Sequence, residues 1–386
     1  MRAPLPPPDP SVPVLADLLG PAAPEILTPV LGIRPDGLRP TQIRYSPGRS
    51  ATVLYSVDGS SERFVATTGG NLPSGAARLS DGSSEIAVWA VPQDPRLPGL
   101  RVAMNGPTLA PILREVGLRS PIRHLRLRSY RPTRRAVVEV TTAEHRVFLK
   151  VVRPDRVQHL QLAHRTVAEQ IRVPRSLGWS PDLGIAVLEA LPGASLRRAA
   201  SQSLAGTLPS WATLASNLDQ IPLLDNHRPG LIERTATHVR LLTAIRPGLA
   251  ESLAELQTYL SGAPDEPLRP AHNDLHSEQI LIQGDGQLTI LDIDTVGPGR
   301  RVDDAALLIG HIYTHAAAGG GSVALAEYGS RLLAECEKTL DSNSLRLRIS
   351  AAVLAFATTP FRRQDPDWPA ATARRIDAAR SWSLSH

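Results

Sequence analysis

The sequence predicts an α+β protein of two lobes, a β-rich lobe followed by a helical one, with an extra β-rich segment in front. Three observations lead to this fold class. β-Prone runs separated by turn residues fill the first half of the chain. Helical spacing of apolar residues replaces them from about residue 200 onward. A pattern of short helix and hairpin also occurs twice, about 85 residues apart.

Composition narrows the class of protein. The chain has 386 residues, 42% of them hydrophobic, which is enough for sizeable cores. No apolar run approaches the ~20 residues of a membrane span, and no secretory signal is visible, so we expect a cytoplasmic protein without a membrane partner. The single cysteine, Cys336, excludes an internal disulfide. The net charge is +5, but scattered arginines and 4% aromatic residues argue against a nucleic-acid partner.

The internal repeat predicts a duplicated β-rich unit. Ile26–Gly32 resembles Ile112–Gly117, and a hairpin pattern follows each copy. We expect residues 1–105 to form an N-terminal cap that is a degenerate copy of the β-rich lobe at 106–191. The alternative is that two ordinary hairpins share turn chemistry.

Lysine is rare in this chain. Of 42 basic residues only Lys150 and Lys338 are lysines, and the other 40 are arginines. A lysine kept inside the β-prone run Arg146–Val152 therefore needs a reason, and a phosphate pocket shaped for a compact ammonium group supplies one. In the first copy of the repeat this position falls on Ala66. The alternative is an edge-strand lysine that points to solvent.

Oxygen-bearing side chains gather around a predicted hairpin late in the chain. Two β-prone runs, 280–283 and 287–291, flank a Gly-Asp-Gly turn. Pairing outward from this turn sets Gln279 opposite residue 291, so Gln279 and Asp292 arrive side by side, and the preceding loop delivers Asp274. Carboxylate and amide oxygens at one point suit a hard cation such as Mg²⁺.

The tract His272–Gln279 with the following Leu291–Asp294 resembles the aminoglycoside phosphotransferase and choline kinase family, whose folds are similar to protein kinases. The family pattern is H-G-D-x-x-x-x-N followed by I-D-x-D/E. This chain departs from it at Asn273, where glycine is usual, and at Gln279, where asparagine is usual. The glutamine is similar to the maltokinase branch, whose motif runs H-G-D-x-H-x-x-Q-V-L and which also has an N-terminal cap.

The resemblance implies a bilobal, protein-kinase-like fold that uses ATP and Mg²⁺. Asp274 would orient and deprotonate the acceptor hydroxyl, and Lys150 would hold the α- and β-phosphates. Gln279 and Asp292 would hold the metal, with Asp294 as a further metal ligand or a residue that supports one.

Two nucleotide-contacting segments are matched to the family by position only. The turn at 130–135, which would cover the phosphates, has no glycine, so Thr133 and the nearby backbone amides are the candidates. Glu189, Ala190 and Leu191 end an apolar strand and would form the hinge that holds adenine. A buried strand that ends in a Pro-Gly turn is an equally good interpretation of this segment.

Two further acids are candidates for supporting roles. Kinases of this fold pair the strand lysine with a helix-borne glutamate, and Glu169 is the candidate, although an extended stretch follows it at once. Asp304 matches a family element that braces the catalytic loop, with helix N-capping as the alternative.

The expected function is ATP-dependent phosphorylation of a hydroxyl group on a small molecule, such as a sugar, an amino sugar or an amino alcohol. Helices within 192–386 would wall the acceptor pocket, and the protein would be a monomer or a homodimer. One alternative is an antibiotic kinase, and the acids that would attract a polycation are Asp303, Asp304, Glu335, Glu337, Asp365 and Asp367. Another is a pseudokinase-like module that binds nucleotide without catalysis, since the phosphate loop lacks glycine and Asn273 replaces one.

Overall fold

The computed structural model describes residues 3–31, 37–202, 208–317 and 322–384. Two five-stranded antiparallel sheets follow each other in the first half of the chain, and helices dominate the second half. This distribution confirms the predicted α+β class. Across the described residues, no helix combines the length and apolar character needed to cross a membrane.

The cap contains two short helices and the first sheet. Its elements are α1 (Leu15–Leu19), α2 (Ala23–Leu31), β1 (Leu38–Ser46), β2 (Ser50–Val57), β3 (Arg63–Thr68), β4 (Ala77–Ser80) and β5 (Glu85–Ala90). The strand order is β1-β2-β3-β5-β4. β-Branched and aromatic side chains such as Val53, Tyr55 and Val65 are fully buried, which is the environment that favours these residues in strands.

The second sheet has the same strand order as the first. Its unit comprises α3 (Pro98–Ala103), α4 (Gly106–Glu115), β6 (Ile122–Arg131), β7 (Arg135–Thr142), β8 (Arg146–Val152), α5 (Pro154–Ala168), β9 (Ser176–Ser180) and β10 (Ile185–Glu189). The order is β6-β7-β8-β10-β9. Lys150 therefore lies on a central strand and is buried, which rules out the edge-strand interpretation of this lysine.

A hydrogen-bond motif repeats along with the strands. In the cap, the carboxylate of Asp9 accepts bonds from Tyr45 Oη (2.6 Å) and from the Gly48 amide (2.7 Å). In the second unit, the carboxylate of Asp94 accepts the two corresponding bonds, from Tyr130 Oη and from the Thr133 amide, both 2.7 Å long. Each residue is 85 positions from its counterpart (94 − 9, 130 − 45 and 133 − 48), so the shared turn chemistry belongs to a larger structural repeat.

This repeat corrects two predictions, the start of the second unit and the counterpart of Lys150 in the cap. By this spacing the second unit starts near Asp94, ahead of the expected start at residue 106, and Leu97 and Leu100 then pack in a core cluster with residues of the second sheet. The counterpart of Lys150 is Thr67 and not Ala66. Lys150 pairs with Val137, the second residue after the start of β7 at Arg135. Thr67 pairs with Thr52, the second residue after the start of β2 at Ser50.

The helical lobe follows the second sheet. Its helices are α6 (Leu196–Ser201), α7 (Trp211–Asp219), α8 (Leu231–Ile245), α9 (Ala250–Ser261), α10 (Arg301–Ala316), α11 (Val323–Cys336), α12 (Ser342–Phe356), α13 (Thr359–Arg362) and α14 (Trp368–Leu384). α9 faces the core through Leu253, Leu256 and Leu260, which recur at helical spacing. The N-terminus of α12 is capped by Asp341, whose carboxylate accepts the Ser344 amide at 2.6 Å.

Two small sheets hold the loops between the lobes. One joins β11 (Ala194–Ser195), β13 (Ile280–Ile282) and β14 (Leu288–Ile290), and the other pairs β12 (Leu268–Ala271) with β15 (Gly297–Arg300). The tract 272–279 runs from the second of these sheets to the first. Both of its ends are therefore fixed by strand pairing, and its side chains are held in place from two directions.

Candidate active site

The hairpin β13–β14 has the predicted register. Leu281 pairs with Thr289, and at the open end the Leu291 amide donates to the Gln279 carbonyl at 2.7 Å. Gly286 in the turn has φ +81°, a conformation that glycine adopts without strain. The pairing brings Gln279 next to Asp292, with 3.5 Å between Nε2 and Oδ2.

Lys150 meets two carboxylates at this open end. Its ammonium donates to Asp292 Oδ1 at 2.7 Å and also to Asp294. The guanidinium of Arg135 lies on the other side of the same pair, with Nη2 3.0 Å from Asp292 Oδ2 and Nη1 3.2 Å from Asp294 Oδ2. Two cations and two carboxylates thus form one closed network between the β-rich and helical lobes.

This network fixes the ionisation of Asp292. Burial alone would raise the pKa of its carboxyl, but Lys150 and Arg135 outweigh burial and hold that pKa well below its usual range. The backbone of Asp292 has φ +54°, an uncommon conformation for a residue with a side chain. Asp292 is therefore a constantly charged group held in a constrained position.

The oxygen atoms here fit a magnesium ion. Gln279 Oε1 is buried and has no hydrogen-bond partner in the described part of the protein, which is costly for an amide oxygen unless a ligand satisfies it. The nitrogen of the same amide, Nε2, lies 3.5 Å from Asp292 Oδ2, so an amide and a carboxylate, two groups whose oxygens Mg²⁺ prefers, stand side by side. Within the described ranges, no three His, Cys, Asp or Glu side chains form a complete metal site. Any metal here would also need oxygens from a ligand.

Asp274 lies on the loop between β12 and β13. Its side chain is half-buried, and no hydrogen bond from the described residues engages its carboxylate. The guanidinium groups of Arg131, Arg135 and Arg228 lie within electrostatic range of it. A charged, unbonded carboxylate in a cleft is able to accept a proton from a bound hydroxyl.

Asp304 braces this loop, as predicted. Its fully buried carboxylate accepts the backbone amides of His272 and Asn273, both at 2.8 Å. The loop is held further by Thr295, whose hydroxyl donates to the His272 carbonyl at 2.6 Å, and by a contact of 2.9 Å between His272 Nε2 and the Leu291 carbonyl. Asp274 thus projects from a backbone segment that is bonded on both sides.

The side chain of Asn273 fits at its position because a glycine, Gly299, lies next to it. Its backbone has φ +64°, which asparagine tolerates better than most residues. Its side-chain amide donates to the Thr295 carbonyl at 3.1 Å. A Cβ on Gly299 would lie 2.0 Å from Asn273 Oδ1, so the missing side chain at 299 makes room for the one at 273.

Glu169 is not brought to Lys150. It caps the C-terminal end of α5 and is exposed to solvent. The buried residue of α5 that interacts with Lys150 is His164, whose Nδ1 lies 2.8 Å from the Pro174 carbonyl. Burial first, and then Lys150, lowers the pKa of His164 to about 4. The helix therefore offers a neutral ring where a glutamate was expected, and Asp292 and Asp294 pair with the lysine instead.

The turn at Thr133 and the segment 189–191, the two candidate nucleotide-contacting segments, have different surroundings. Thr133 has φ +62°, and its amide is already bonded to Asp94. Its hydroxyl, 3.5 Å from Arg44 Nη2, is the part of Thr133 left for a ligand. At the other segment, Glu189 ends β10 and pairs with Arg175 at 3.0 Å, while residues 190–191 lie outside the sheet.

Comparison with known proteins assigns the family. Residues 130–337, more than half of the chain, match the sequence model of the phosphotransferase enzyme family (APH). The chain belongs to this family. No curated protein matches it in sequence. The matched region contains all of the predicted site residues, whereas the cap lies outside it.

Solved structures show the same fold. A thermostable mutant of an aminoglycoside phosphotransferase, in ternary complex with AMP-PNP and hygromycin B, has a TM-score of 0.54 at 14% identity, covering 72% of this chain and 99% of its own. Choline kinase LicA from Streptococcus pneumoniae has a TM-score of 0.51 at 12% identity, covering 71% and 98%. Choline kinase from Cryptosporidium parvum Iowa II has a TM-score of 0.50 at 12% identity, covering 72% and 95%. These likenesses establish the protein-kinase-like fold.

Sequence reasoning missed three residues at this site: Arg135, His164 and Asp94. Arg135 carries no compositional signal, since it is one of 40 arginines. His164 replaces an expected acid, so a search for a carboxylate passes over it. Asp94 did have a signal, because it repeats Asp9 at the interval of 85 residues.

Proposed function

We propose that this phosphotransferase moves the terminal phosphoryl group of ATP to a hydroxyl group of a small molecule. The observation that carries this proposal is the contact of Lys150 with Asp292 and Asp294 beside the unbonded carboxylate of Asp274. A phosphoryl-transfer site needs a cation for phosphate, carboxylates for metal and a base for the acceptor. All three groups come together here from separate parts of the chain.

Asp274 is the proposed general base. It would orient the acceptor hydroxyl and take its proton as the oxygen attacks the phosphorus. The amides of His272 and Asn273 donate hydrogen bonds to Asp304 and so hold Asp274 in place. Its orientation is therefore set before the substrate arrives. Lys150 would bind phosphate oxygens, and its burial strengthens that interaction because little water competes.

Gln279, Asp292 and Asp294 are the proposed magnesium ligands. The partnerless oxygen of Gln279 gives this assignment its support, since a buried acceptor needs a cation or a donor. When bound, Mg²⁺ would neutralise charge on the transferring phosphoryl group. Arg135 and Lys150 balance the two carboxylates in the absence of the metal.

Five of the six acids named for the antibiotic-kinase alternative are engaged or buried in the part of the chain that the structure describes. Four of the acids that would attract a polycation are already engaged: Arg348 pairs with Asp303 (2.9 Å), Arg346 with Glu337 (2.6 Å), Arg374 with Asp367 (3.0 Å), and the Trp211 amide with Glu335 (2.6 Å). Asp304 is fully buried beneath the catalytic loop. The non-catalytic alternative draws on the phosphate loop without glycine and on the glutamate that Lys150 lacks, whereas the presence of Lys150, Asp274 and Asp292 together argues against it.

The test is acceptor-dependent release of ADP, measured for the wild type and Asp274→Asn. We expect the variant to lose about 10²–10⁴-fold in kcat, the usual contribution of a general base, while its affinity for ATP stays nearly unchanged. Asp285→Asn, in the exposed turn of the same hairpin, is the matched control and should keep full activity. Undiminished turnover in Asp274→Asn would remove the proposed base.

A further inference from the structure

Four arginines form a group that reaches Asp274: Arg131 and Arg228 interact with its carboxylate, and Arg134 and Arg362 interact with Arg131. Arg131 and Arg134 flank the turn between β6 and β7, Arg228 precedes α8, and Arg362 ends α13. Each side chain is exposed to solvent, and none forms a salt bridge in the part of the chain that the structure describes. Many surface arginines of this chain lack salt bridges, but these four lie next to one another, so their positive charges add up at one place.

Their placement ties the arginines to the active site. Arg131 lies opposite Arg135 in the strand register, next to the ion pairs of Lys150. Arg228 is held near the carboxylates by its neighbour Asn226, whose amide donates to the Asp294 carbonyl at 2.9 Å. These contacts place positive charge on both the β-rich side and the helical side of the cleft.

Electrostatic interactions show what the arginines face. Arg131 and Arg228 both interact with the carboxylate of Asp274. The charged neighbours of Arg362 are cations, Arg131 and Arg134. Like charges held together in a cleft raise the free energy of the empty site and favour an anion within it.

We propose that the acceptor is a hydroxy compound that also carries an anionic group, a phosphate ester or a carboxylate, and that Arg228 and Arg362 bind this group. The inference rests on the proposed kinase function and specifies its substrate class. Guanidinium groups bind both anions through paired hydrogen bonds. The same arginines would repel the quaternary ammonium group of choline or a polycationic aminoglycoside, so the fold shared with kinases of those compounds does not extend to their acceptors.

ATP alone does not account for all four arginines. Lys150 and Arg135 already stand at the carboxylates where metal and phosphates would bind. Arg131 and Arg134 adjoin the phosphate-covering turn and could serve the nucleotide. Arg228 and Arg362 come from the helical lobe. Arg228 interacts with Asp274, beside which the acceptor hydroxyl has to lie, and Arg362 adjoins Arg131, which also interacts with Asp274. Specificity for the acceptor therefore rests on these two residues.

The first arm of the test compares acceptors that share one scaffold: D-glucose, D-glucosamine, glucose 6-phosphate and D-glucuronate. We expect kcat/KM for at least one anionic acceptor to exceed those for the neutral and cationic sugars by roughly tenfold or more. Preference for the phosphate ester or for the uronate distinguishes the two anions.

Arg362→Gln should raise KM for the anionic acceptor and leave KM for ATP unchanged. Arg363→Gln, one residue further along, is the matched control. Preference for glucosamine would overturn the inference and leave the kinase proposal standing.

The second arm measures binding without turnover. The protein is saturated with Mg²⁺ and AMP-PNP, so that the triphosphate site is filled, and is titrated with inorganic phosphate or choline in a calorimeter. We expect phosphate to bind and choline not to bind, and we expect Arg362→Glu to abolish the binding of phosphate. Such a result without turnover of any acceptor would keep the anion site and reject the kinase proposal. Equal phosphate binding by wild type and Arg362→Glu would reject the anion site.

Discussion

The carboxylate of Asp94 accepts a hydrogen bond from the backbone amide of Thr133 at 2.7 Å. Asp94 lies just after the cap sheet, and Thr133 lies at the tip of the turn that faces the active site. The same carboxylate accepts Tyr130 Oη at 2.7 Å, and Arg44 of the cap donates to the Pro132 carbonyl at 3.4 Å. The turn proposed to cover the phosphates, which has no glycine, is thus held by residues from outside the sheet that carries it.

Removing the Asp94 carboxylate should loosen this turn. Asp94→Ala removes the acceptor of the Thr133 amide and of the Tyr130 hydroxyl proton, which should lower the free energy of unfolding by about 1–3 kcal/mol. Because the turn adjoins the phosphate site, KM for ATP should rise as well. Denaturant unfolding and steady-state kinetics measure the two effects.

Asp9→Ala provides the matched control for this variant. It breaks the same two bonds, to Tyr45 and Gly48, in the cap copy of the motif. We expect a loss of stability of similar kind with no change in KM for ATP. Equal KM values in the two variants would show that the turn at Thr133 does not contact the nucleotide.

The sequence predicted local pairings well and long-range ones poorly. A Gly-Asp-Gly turn fixes the register of β13–β14, so the approach of Gln279 to Asp292 followed from counting residues. The rarity of lysine identified Lys150. The pairing of Arg135 with Asp292 could not be predicted, because it depends on how two lobes pack and arginine is common throughout the chain.

The partnerless oxygen of Gln279 predicts a change in metal requirement. Gln279→Leu keeps the size of the side chain but removes the oxygen, so the Mg²⁺ concentration for half-maximal rate should rise about tenfold, the effect of losing roughly 1.4 kcal/mol of binding. Gln279→Asn retains an amide and should show a smaller rise. The measurement is a Mg²⁺ titration of activity at saturating ATP.

Gln287→Ala, in the exposed half of the same hairpin, is the control for the metal titration. It should leave the Mg²⁺ dependence as in the wild type. If Gln279→Leu also leaves that dependence unchanged, the metal is held by carboxylates alone, and the buried amide has another partner.

His164 predicts acid sensitivity of the fold. Burial, and then the neighbouring Lys150, lowers its pKa to about 4 in the folded protein, whereas an unfolded histidine has a pKa near ~6.5. The unfolded state therefore binds the proton first as the pH falls. The stability that neutral His164 contributes is complete above pH ~6.5 and is lost as the pH falls from there towards ~4.

This shift corresponds to about 2 kcal/mol of stability lost between pH ~7 and ~5. Chemical denaturation of the wild type and His164→Gln at the two pH values measures it, because the variant lacks the titrating ring. We expect the variant to lose less stability on acidification than the wild type, although buried His238, whose pKa is also lowered to about 4, still contributes. His159→Gln, exposed on the same helix α5, should behave as the wild type. An acid loss in His164→Gln as large as in the wild type would mean that the ring beside Lys150 is not held neutral by the fold.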